Sequence, residues 1–154
     1  MIRTAKGADV PRLVQLNPSV HDVHLAADPV HYAPTEAAAV ADWYTAKLAE
    51  DGVLVGIVED CGADLGFVLT VRVDRAATPF SHARRTLVVD QLAVVDGARG
   101  RGLGGALMDW AEARARALGC ASVVLDVAAF NTHAEGFYRC RGYVPQMHRM
   151  GLAL

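Results

Sequence analysis

The sequence predicts one α/β domain, with a mixed but mostly antiparallel sheet of six or seven strands flanked by about four helices. Two observations carry this prediction. Residues 53–59 and 64–73 are β-branched runs separated by a tight polar turn, which is typical of an antiparallel hairpin. Residues 84–95 lead through a glycine-rich turn into a helical pattern and then into the apolar run 121–127, which is typical of a βαβ unit. The length of 154 residues fits a single domain, residues 1–154.

The N-terminal part predicts a short strand and two helices. Residues 1–4 are interpreted as an edge strand, and Asp9 followed by Pro11 marks a short helix. Residues 17–34 contain three prolines without periodicity, which predicts a loop or a broken helix. Thr35 is expected to cap the next helix. The apolar face of that helix is formed by Ala37, Val40, Ala41, Tyr44 and Leu48, and Trp43 is also expected in the core.

The C-terminal half supplies the remaining elements. Residues 84–95 form a third long strand, antiparallel to its predecessor if the connection is a simple hairpin. A helix follows over 101–118, and 121–127 is expected to run parallel to the strand before that helix. A short helix over 131–141 precedes a last strand, 143–154. Its half-buried face is expected to carry Met150, Leu152 and Leu154.

Composition excludes several classes of function. A formal net charge of −2 gives no general basic field, so a nucleic-acid partner is not expected. No apolar run approaches the roughly 20 residues of a membrane helix, and the N-terminus lacks the apolar segment of a signal peptide. The three cysteines lack C-x-x-C spacing, which argues against a disulfide framework or a structural zinc. We therefore expect free thiols and a cytoplasmic location.

Three histidines lie in the proline-containing segment. The spacing of His21, His24 and His31 fits no common zinc site, and no cysteine or glutamate joins them at helical spacing. We therefore predict no metal site.

The chain is organised around residues 92–108. An apolar run breaks into a glycine-rich turn that passes directly into a helix. Such a turn lets the main chain approach an anion, and the first helical turn directs unpaired N–H groups and a partial positive charge at it. Arg99 and Arg101 add positive charge at the same place. The pattern predicts a phosphate-binding loop.

Two kinds of protein use such a loop. Gly100, Gly102 and Gly105 satisfy G-x-G-x-x-G, and Asp126 stands where a ribose-binding acid is expected in a dinucleotide-binding fold. That fold needs several further βα units after its acid, and only residues 127–154 remain. Read instead as R-x-x-G-x-G, the loop resembles the acetyl-CoA loop of the GNAT superfamily of N-acetyltransferases, with Arg99 as the first residue and glycines at positions 102 and 104.

A second motif favours the acetyltransferase reading. Residues 131–143 give Asn-x-x-Ala, then Phe-Tyr, then Gly-Tyr. This order resembles the second GNAT motif. The resemblance is sharp over residues 87–143, and before residue 87 it extends only to the order of the elements.

The resemblance implies how acetyl-CoA binds. In this superfamily the strands on either side of the glycine loop diverge, and pantetheine lies between them as an extra strand. Main-chain groups would bind pantetheine and the thioester carbonyl on one strand, and the loop would bind the pyrophosphate. The residues implied in binding are Leu92, Ala93, Val94, Arg99, Gly100, Arg101, Gly102, Leu103, Gly104 and Asn131. Asn131 is also a common type of helix N-cap.

The resemblance also implies catalytic roles. Tyr138 matches the general acid that protonates the departing CoA thiolate, and a phenol stays protonated at neutral pH. A charged amine must lose a proton before it attacks. Asp126 is the first candidate for this base and Asp90 the second.

The function implied is acetyl transfer from acetyl-CoA to a primary amine of a small molecule or a peptide, by direct attack in a ternary complex. Residues 17–34 and 74–82 would shape the acceptor site. A homodimer is implied by analogy alone. A non-catalytic acyl-CoA-binding or regulatory module is the alternative, and a dinucleotide-binding enzyme is the third hypothesis.

Overall fold

A computed structural model describes residues 1–152. The strands are β1 (Ile2–Thr4), β2 (Val53–Asp60), β3 (Ala63–Arg75), β4 (Arg84–Val94) and β5 (Ser122–Leu125). The α-helices are α1 (Val10–Leu16), α2 (Pro18–Ala27), α3 (Ala37–Ala49), α4 (Leu103–Ala117) and α5 (Thr132–Cys140). Short 3-10 turns, Gly7–Asp9 and Asp96–Ala98, precede α1 and α4.

The strands form one sheet in the order β1-β2-β3-β4-β5. Neighbours are antiparallel except β4 and β5, which are parallel. The predicted mixed, mostly antiparallel sheet is confirmed, with five described strands instead of six or seven. A doubly wound parallel sheet, which the dinucleotide hypothesis requires, is not what the described residues form.

Helices cover both faces of the sheet. On one face, α1 and α3 pack against the inward side chains of β2 and β3, with Tyr44 and Phe67 fully buried at the centre. On the other face, α4 packs against β3 and β4 through Leu107, Met108 and Ala111. Successive side chains of a strand point to opposite faces of the sheet, so the same strands contribute residues to both cores.

A β-bulge in β4 changes which residues face each core. Leu69 of β3 pairs with Gln91 and Thr70 pairs with Val89, so Asp90 is an extra residue without a partner on β3. Before the bulge, Val89 belongs to the α4 core. Beyond it, Ala93 belongs to the α1–α3 core. The inserted residue therefore reverses the inward and outward alternation of the last part of β4.

Three N-terminal predictions need correction. The segment expected to be a loop or broken helix contains α2, which follows α1 directly at Asn17 and Pro18. Proline is tolerated in the first turn of a helix, so it begins α2 here. Thr35 does not cap α3, whose N-cap is Glu36 without a side-chain bond. Trp43 is 40% exposed and is not a core residue.

The last predicted strand, 143–154, is absent over residues 143–152, which have no regular secondary structure, and residues 153–154 lie outside the described part of the chain. The alternation of apolar residues is present, but within residues 1–152 no strand pairs with it. No helix in this range is both long and apolar enough to cross a bilayer.

Candidate active site

The glycine-rich turn joins β4 to α4 through two left-handed residues. Gly100 has φ 76° and Gly102 has φ 77°, and Gly102 is the N-cap of α4. Side chains other than glycine rarely adopt such angles. A Cβ placed on either residue would meet no heavy atom within 4 Å. The loop therefore adopts a backbone that favours glycine and borders open space.

The first turn of α4 leaves main-chain donors available. No side chain caps this end, and the first turn contains no acidic residue. The N–H groups of Leu103, Gly104 and Gly105 precede the first helical bond, which runs from Ala106 to the carbonyl of Gly102. A 15-residue helix directs a partial positive charge at this end. An anion such as a pyrophosphate fits these donors.

Gly104 has a different role from Gly102. A Cβ on Gly104 would lie 3.5 Å from the ring of Phe137, and one on Gly105 would lie 3.4 Å from the guanidinium of Arg141. Both neighbours belong to α5 or follow it directly. A Cβ at either position would make an ordinary contact, so the distances show that α5 lies directly against the start of α4.

The two arginines of the loop are each paired with a carboxylate. Arg99 contacts Asp96 at 2.9 Å, and Arg101 contacts Asp60 of the β2–β3 turn at 2.5 Å. The hydrogen bond from Arg101 is the main reason that the pKa of Asp60 is lowered. Both arginine side chains are about half exposed, at 51% and 50%. Their charges are thus partly neutralised, although such exposed pairs are weak and can be exchanged for a phosphate.

The parallel pairing of β4 and β5 ends before β4 does, because β5 is the shorter strand. β4 and β5 pair only from Thr86 with Ser122 to Val89 with Leu125. β4 then continues to Val94, paired on its other side with β3. No described strand thus pairs with the last five residues of β4 on this side, which leaves an unpaired strand edge, the gap beside β4.

Main-chain groups of β4 face this gap. A Cβ on Gly66 of β3 would collide with the carbonyl oxygen of Ala93, so that carbonyl points toward β3. Main-chain groups alternate in direction along a strand. The N–H and C=O groups of Leu92 and Val94 therefore face the gap, whereas those of Ala93 do not.

Tyr138 lies on α5 and packs against the same core cluster as Leu92 and Val94 of β4. Its ring packs at 5.1 Å from Phe137 and 5.8 Å from Tyr143, measured between ring centroids. Burial raises the pKa of Tyr138 to about 12. No group among residues 1–152 forms a hydrogen bond with its hydroxyl. The hydroxyl is therefore protonated at neutral pH and free to donate a hydrogen bond.

Comparison with known proteins identifies the family. The model of the acetyltransferase (GNAT) family matches residues 17–143. The chain belongs to the GNAT family. It is an acyltransferase by this membership, and acetyl-CoA is the acyl donor that the family uses.

Solved structures share the GNAT fold of this chain. A variant of the BH1408 protein from Bacillus halodurans has a TM-score of 0.94 at 23% identity, covering 100% of this chain and 99% of that one. The aminoglycoside N-acetyltransferase AAC(6′)-Iy, solved with CoA, has a TM-score of 0.79 at 16% identity, covering 100% and 93%. A predicted acetyltransferase from Clostridium acetobutylicum, solved with acetyl-CoA, has a TM-score of 0.75 at 15% identity, covering 99% and 95%. Comparison with curated protein sequences finds no significant match.

Asn131 of this GNAT chain serves as the N-cap of α5. Its Oδ1 accepts a hydrogen bond from the N–H of Ala134 at 3.1 Å. Its side-chain NH₂ group has no hydrogen-bond acceptor among the described residues. The capping role and a donor role toward pantetheine are thus compatible, because they use different atoms.

The two candidate bases lie at the point where the pairing of β4 with β5 ends. Asp90 is the bulge residue of β4, and Asp126 directly follows β5. Both are exposed. Asp90 is also close enough to the Tyr44 hydroxyl that its charge contributes, after burial, to raising the pKa of that phenol.

Two contacts of the Tyr44 hydroxyl have no signal in the sequence. The hydroxyl donates a hydrogen bond to Oε1 of Gln91 at 2.8 Å and also lies 3.2 Å from Oδ1 of Asn17. These contacts connect α3 with β4 and with the junction of α1 and α2. Tyr44 was predicted only as an apolar core residue. These contacts join residues 27 and 47 positions apart, which local patterns do not reveal.

The histidine-containing segment forms an aromatic cluster against the loop after β5. The ring of His24 lies 5.0 Å from Tyr32 and 5.6 Å from Phe130. Burial is the main cause of the lowered pKa of His24, with the nearby His21 second. His31 bonds to Asp28, and His21 to the carbonyl of Ala33. The three histidines thus organise the segment itself and do not converge on one point.

Proposed function

We propose that this chain transfers an acetyl group from acetyl-CoA to a primary amine by direct attack in a ternary complex. The observation that carries the proposal is the combination of a gap beside the end of β4 with an uncapped helix N-terminus where that strand leads into α4. An extended pantetheine fits the first feature, and a pyrophosphate fits the second.

Binding of the donor would use main-chain groups for the most part. Leu92 and Val94 offer N–H and C=O groups along the gap, and Gly100 to Gly104 offer N–H groups around the anion. Arg99 and Arg101 would exchange their present carboxylate partners for phosphate oxygens.

Attack on the thioester requires an uncharged amine. In this proposal Asp126 accepts a proton from the acceptor ammonium, with Asp90 as the rival base. The amine nitrogen then forms a bond to the acetyl carbonyl carbon, and the carbon–sulfur bond breaks with its electron pair leaving on sulfur. The nitrogen releases its second proton to solvent as the amide forms. The thiolate finally takes up a proton.

Tyr138 would act on this leaving sulfur. Its pKa of about 12 lies well above the ordinary thiol value of about 8.5. Complete proton transfer from the phenol to the thiolate is therefore uphill. We infer that the hydroxyl stabilises the developing negative charge by a hydrogen bond, and that the final proton reaches sulfur from solvent.

The acceptor would enter between α2 and the loop after β5. Tyr32 and Phe130 present aromatic surface there, together with His24, whose pKa is lowered. An acceptor with an apolar or planar body next to its amine fits this surface. Small-molecule amines and peptide N-termini remain the two classes to compare.

The direct test is turnover. Purified protein is incubated with acetyl-CoA and a panel of polyamines, aminoglycosides, aromatic amines and peptides, and the release of free thiol is measured. We expect thiol release that depends on an amine, with the acetylated amine identified by mass spectrometry. Tight CoA binding without turnover on any amine would instead support a non-catalytic acyl-CoA-binding module.

A further inference from the structure

The side chain of Gln91 is held by a fully buried phenol. Gln91 lies on β4 directly after the bulge residue, Asp90. Its Oε1 accepts a hydrogen bond from the hydroxyl of Tyr44 at 2.8 Å, and Tyr44 is fully buried. Burial raises the pKa of that phenol, so the proton stays on its oxygen at neutral pH. The amide of Gln91 is therefore fixed at its oxygen end.

A second contact of the same hydroxyl sets the direction of these hydrogen bonds. The phenol oxygen lies 3.2 Å from the amide of Asn17, at the junction of α1 and α2. A phenol has one proton and cannot donate to both amides. O–H···O bonds are about 2.5–3.0 Å long, whereas N–H···O bonds reach about 3.2 Å. The shorter contact therefore takes the phenol proton, and the Asn17 amide turns its NH₂ group toward the phenol oxygen.

The NH₂ group of Gln91 is the free end of this chain of hydrogen bonds. It has no hydrogen-bond acceptor among residues 1–152. Gln91 is half-buried, and its NH₂ group borders solvent. A side-chain amide whose oxygen is already bonded and whose NH₂ group is open offers donors and no acceptor. Gln91 thus presents a fixed, uncharged donor.

This donor lies on the side of the sheet where the acceptor is proposed to enter. Tyr44 belongs to the α1–α3 core, Val20 of α2 packs against the same core, and α2 contacts β4. Asp90 is close enough that its charge acts on the Tyr44 hydroxyl. Leu92, the next residue along β4, has its main-chain groups at the gap. The Gln91 donor therefore lies between a candidate base and the strand edge proposed to bind the thioester.

The charges near this donor select the kind of oxygen that it can meet. Asp90 and Asp126 directly follow the last residue pair of β4 and β5. Two carboxylates there repel a carboxylate on the acceptor. A carbonyl or hydroxyl oxygen accepts a hydrogen bond from an amide without that repulsion. The surroundings of Gln91 therefore favour an uncharged oxygen near the acceptor's amine.

We propose that Gln91 is an acceptor-binding residue, whose NH₂ group donates to an uncharged oxygen borne by the carbon adjacent to the amine-bearing carbon. Tyr44 is the positioning residue that fixes the amide in this direction. The favoured acceptors are amino amides, peptide N-termini and amino alcohols. Simple alkyl amines leave the donor unpaired, and free amino acids bring a carboxylate to the two aspartates. The inference rests on the proposed acetyl transfer, because it concerns the amine of that reaction.

Three related amines test this preference. L-phenylalaninamide has the uncharged oxygen, phenethylamine lacks it, and L-phenylalanine has a carboxylate in its place. All three have the aromatic body that fits Tyr32 and Phe130. Thiol release gives kcat/KM for each amine with acetyl-CoA, and calorimetry gives its affinity for the complex of the protein with CoA. We expect the wild type to prefer phenylalaninamide to each of the others by about tenfold or more in both measurements.

Variants of the two residues locate the preference. Gln91→Glu replaces the donor by an oxygen of the same size, and the preference for phenylalaninamide over phenethylamine should fall about tenfold. Tyr44→Phe frees the amide and should reduce the preference several-fold. Gln15→Glu is the matched control, because it makes the same change at an exposed position of α1 and should keep the wild-type preference. Ratios between amines cancel the different amine pKa values and any general loss of folded protein.

The outcomes separate this inference from the proposed function. The absence of thiol release with every amine contradicts acetyl transfer, and the calorimetric preference then still tests Gln91. Equal affinity of the wild type for phenylalaninamide and phenethylamine overturns the inference, as does an unchanged preference in Gln91→Glu. A stronger preference in Gln91→Glu also overturns it, because the residue would then present its oxygen to the acceptor. The absence of both amine binding and turnover contradicts both proposals.

Discussion

Asp90 and Asp126 are the first residues beyond the last residue pair of β4 and β5. That pair is Val89 with Leu125. Neighbouring strands lie about 4.8 Å apart, so the two carboxylates begin side by side where the gap opens. Asp90 occupies a bulge, which bends its strand and frees its main chain from the regular ladder. The end of the parallel pairing therefore brings both candidate bases to the entrance of the proposed thioester site.

The assignment of the base predicts unequal effects at these two positions. Asp126→Asn removes the proton acceptor without a change of size, and kcat/KM for the amine should fall about 10²- to 10⁴-fold at neutral pH. The affinity for CoA, measured by calorimetry, should stay within a few-fold. Asp90→Asn is the matched comparison and should cost less than tenfold. If the larger loss occurs in Asp90→Asn instead, the base has been assigned to the wrong strand.

Tyr138→Phe should reduce kcat and leave the KM for acetyl-CoA within a few-fold. The substitution removes one hydroxyl that acts mainly in the transition state. We expect a decrease near the lower end of the usual range, about 10²-fold, because a phenol with a pKa of about 12 donates a hydrogen bond more readily than it gives up its proton.

Tyr143→Phe is the control for this experiment. The Tyr143 ring packs against Tyr138, but its hydroxyl donates to Glu112 of α4, at 3.2 Å. Its loss should affect the free energy of unfolding more than kcat. Equal losses of kcat in the two variants would show that the Tyr138 hydroxyl has no specific role at the leaving sulfur.

Gly102→Ala should weaken CoA binding at least tenfold by isothermal titration. The methyl group enters the open space above the loop, and φ 77° is unfavourable for alanine. Gly119→Ala is a close control, since Gly119 has φ 69° with open space around its Cβ and lies at the other end of the same helix. Both variants should lose about 1 kcal/mol of stability, and only the first should lose CoA affinity. Equal CoA affinities in the two variants would contradict the assignment of the glycine-rich turn as the CoA-binding loop.

The stability of the N-terminal region should depend on pH through Asp9. Two nitrogens of Arg3 each donate to Asp9 at 2.9 Å, and these bonds lower the pKa of the carboxylate in the folded state. Their contribution is therefore present above the unfolded value of about 4 and is lost as the pH falls through the lower folded value. Asp9→Asn should lower the free energy of unfolding by about 1–3 kcal/mol at pH 7.

Chemical denaturation at several pH values tests this prediction. The difference between wild type and Asp9→Asn should narrow as the pH falls below about 4. Asp51→Asn is the control, because Asp51 pairs with Arg72 at 2.7 Å but is 90% exposed. An exposed pair contributes about 1 kcal/mol or less. A constant difference for Asp9→Asn at all pH values would contradict the role of its charge.

Local sequence patterns determined the glycine loop, its helix and the motif that contains Tyr138. The reason is physical, because left-handed glycines, helical periodicity and a βαβ connection are each encoded within a few residues. The family follows from the same stretches, and the match over residues 17–143 confirms it. The predicted hairpin and the long strand 84–95 also appear nearly as expected.

Tertiary structure alone decided the geometry around that loop. The bulge at Asp90 depends on the register between β3 and β4, and the pairing of Tyr44 with Gln91 joins elements far apart in sequence. The pairing of Arg101 with Asp60 of the β2–β3 turn likewise depends on packing, whereas Arg99 pairs with Asp96 only three residues before it.

The C-terminal segment shows the same division between what the local sequence determines and what the tertiary structure decides. Its sequence carries the alternation of a strand, and Met150 and Leu152 are placed as that pattern requires. A strand, however, forms only where another strand offers hydrogen bonds, and within residues 1–152 none is paired with it. The sequence by itself therefore determined which residues have the alternation of a strand, whereas the tertiary structure decided that residues 143–152 form none, because pairing is a property of two segments and not of one.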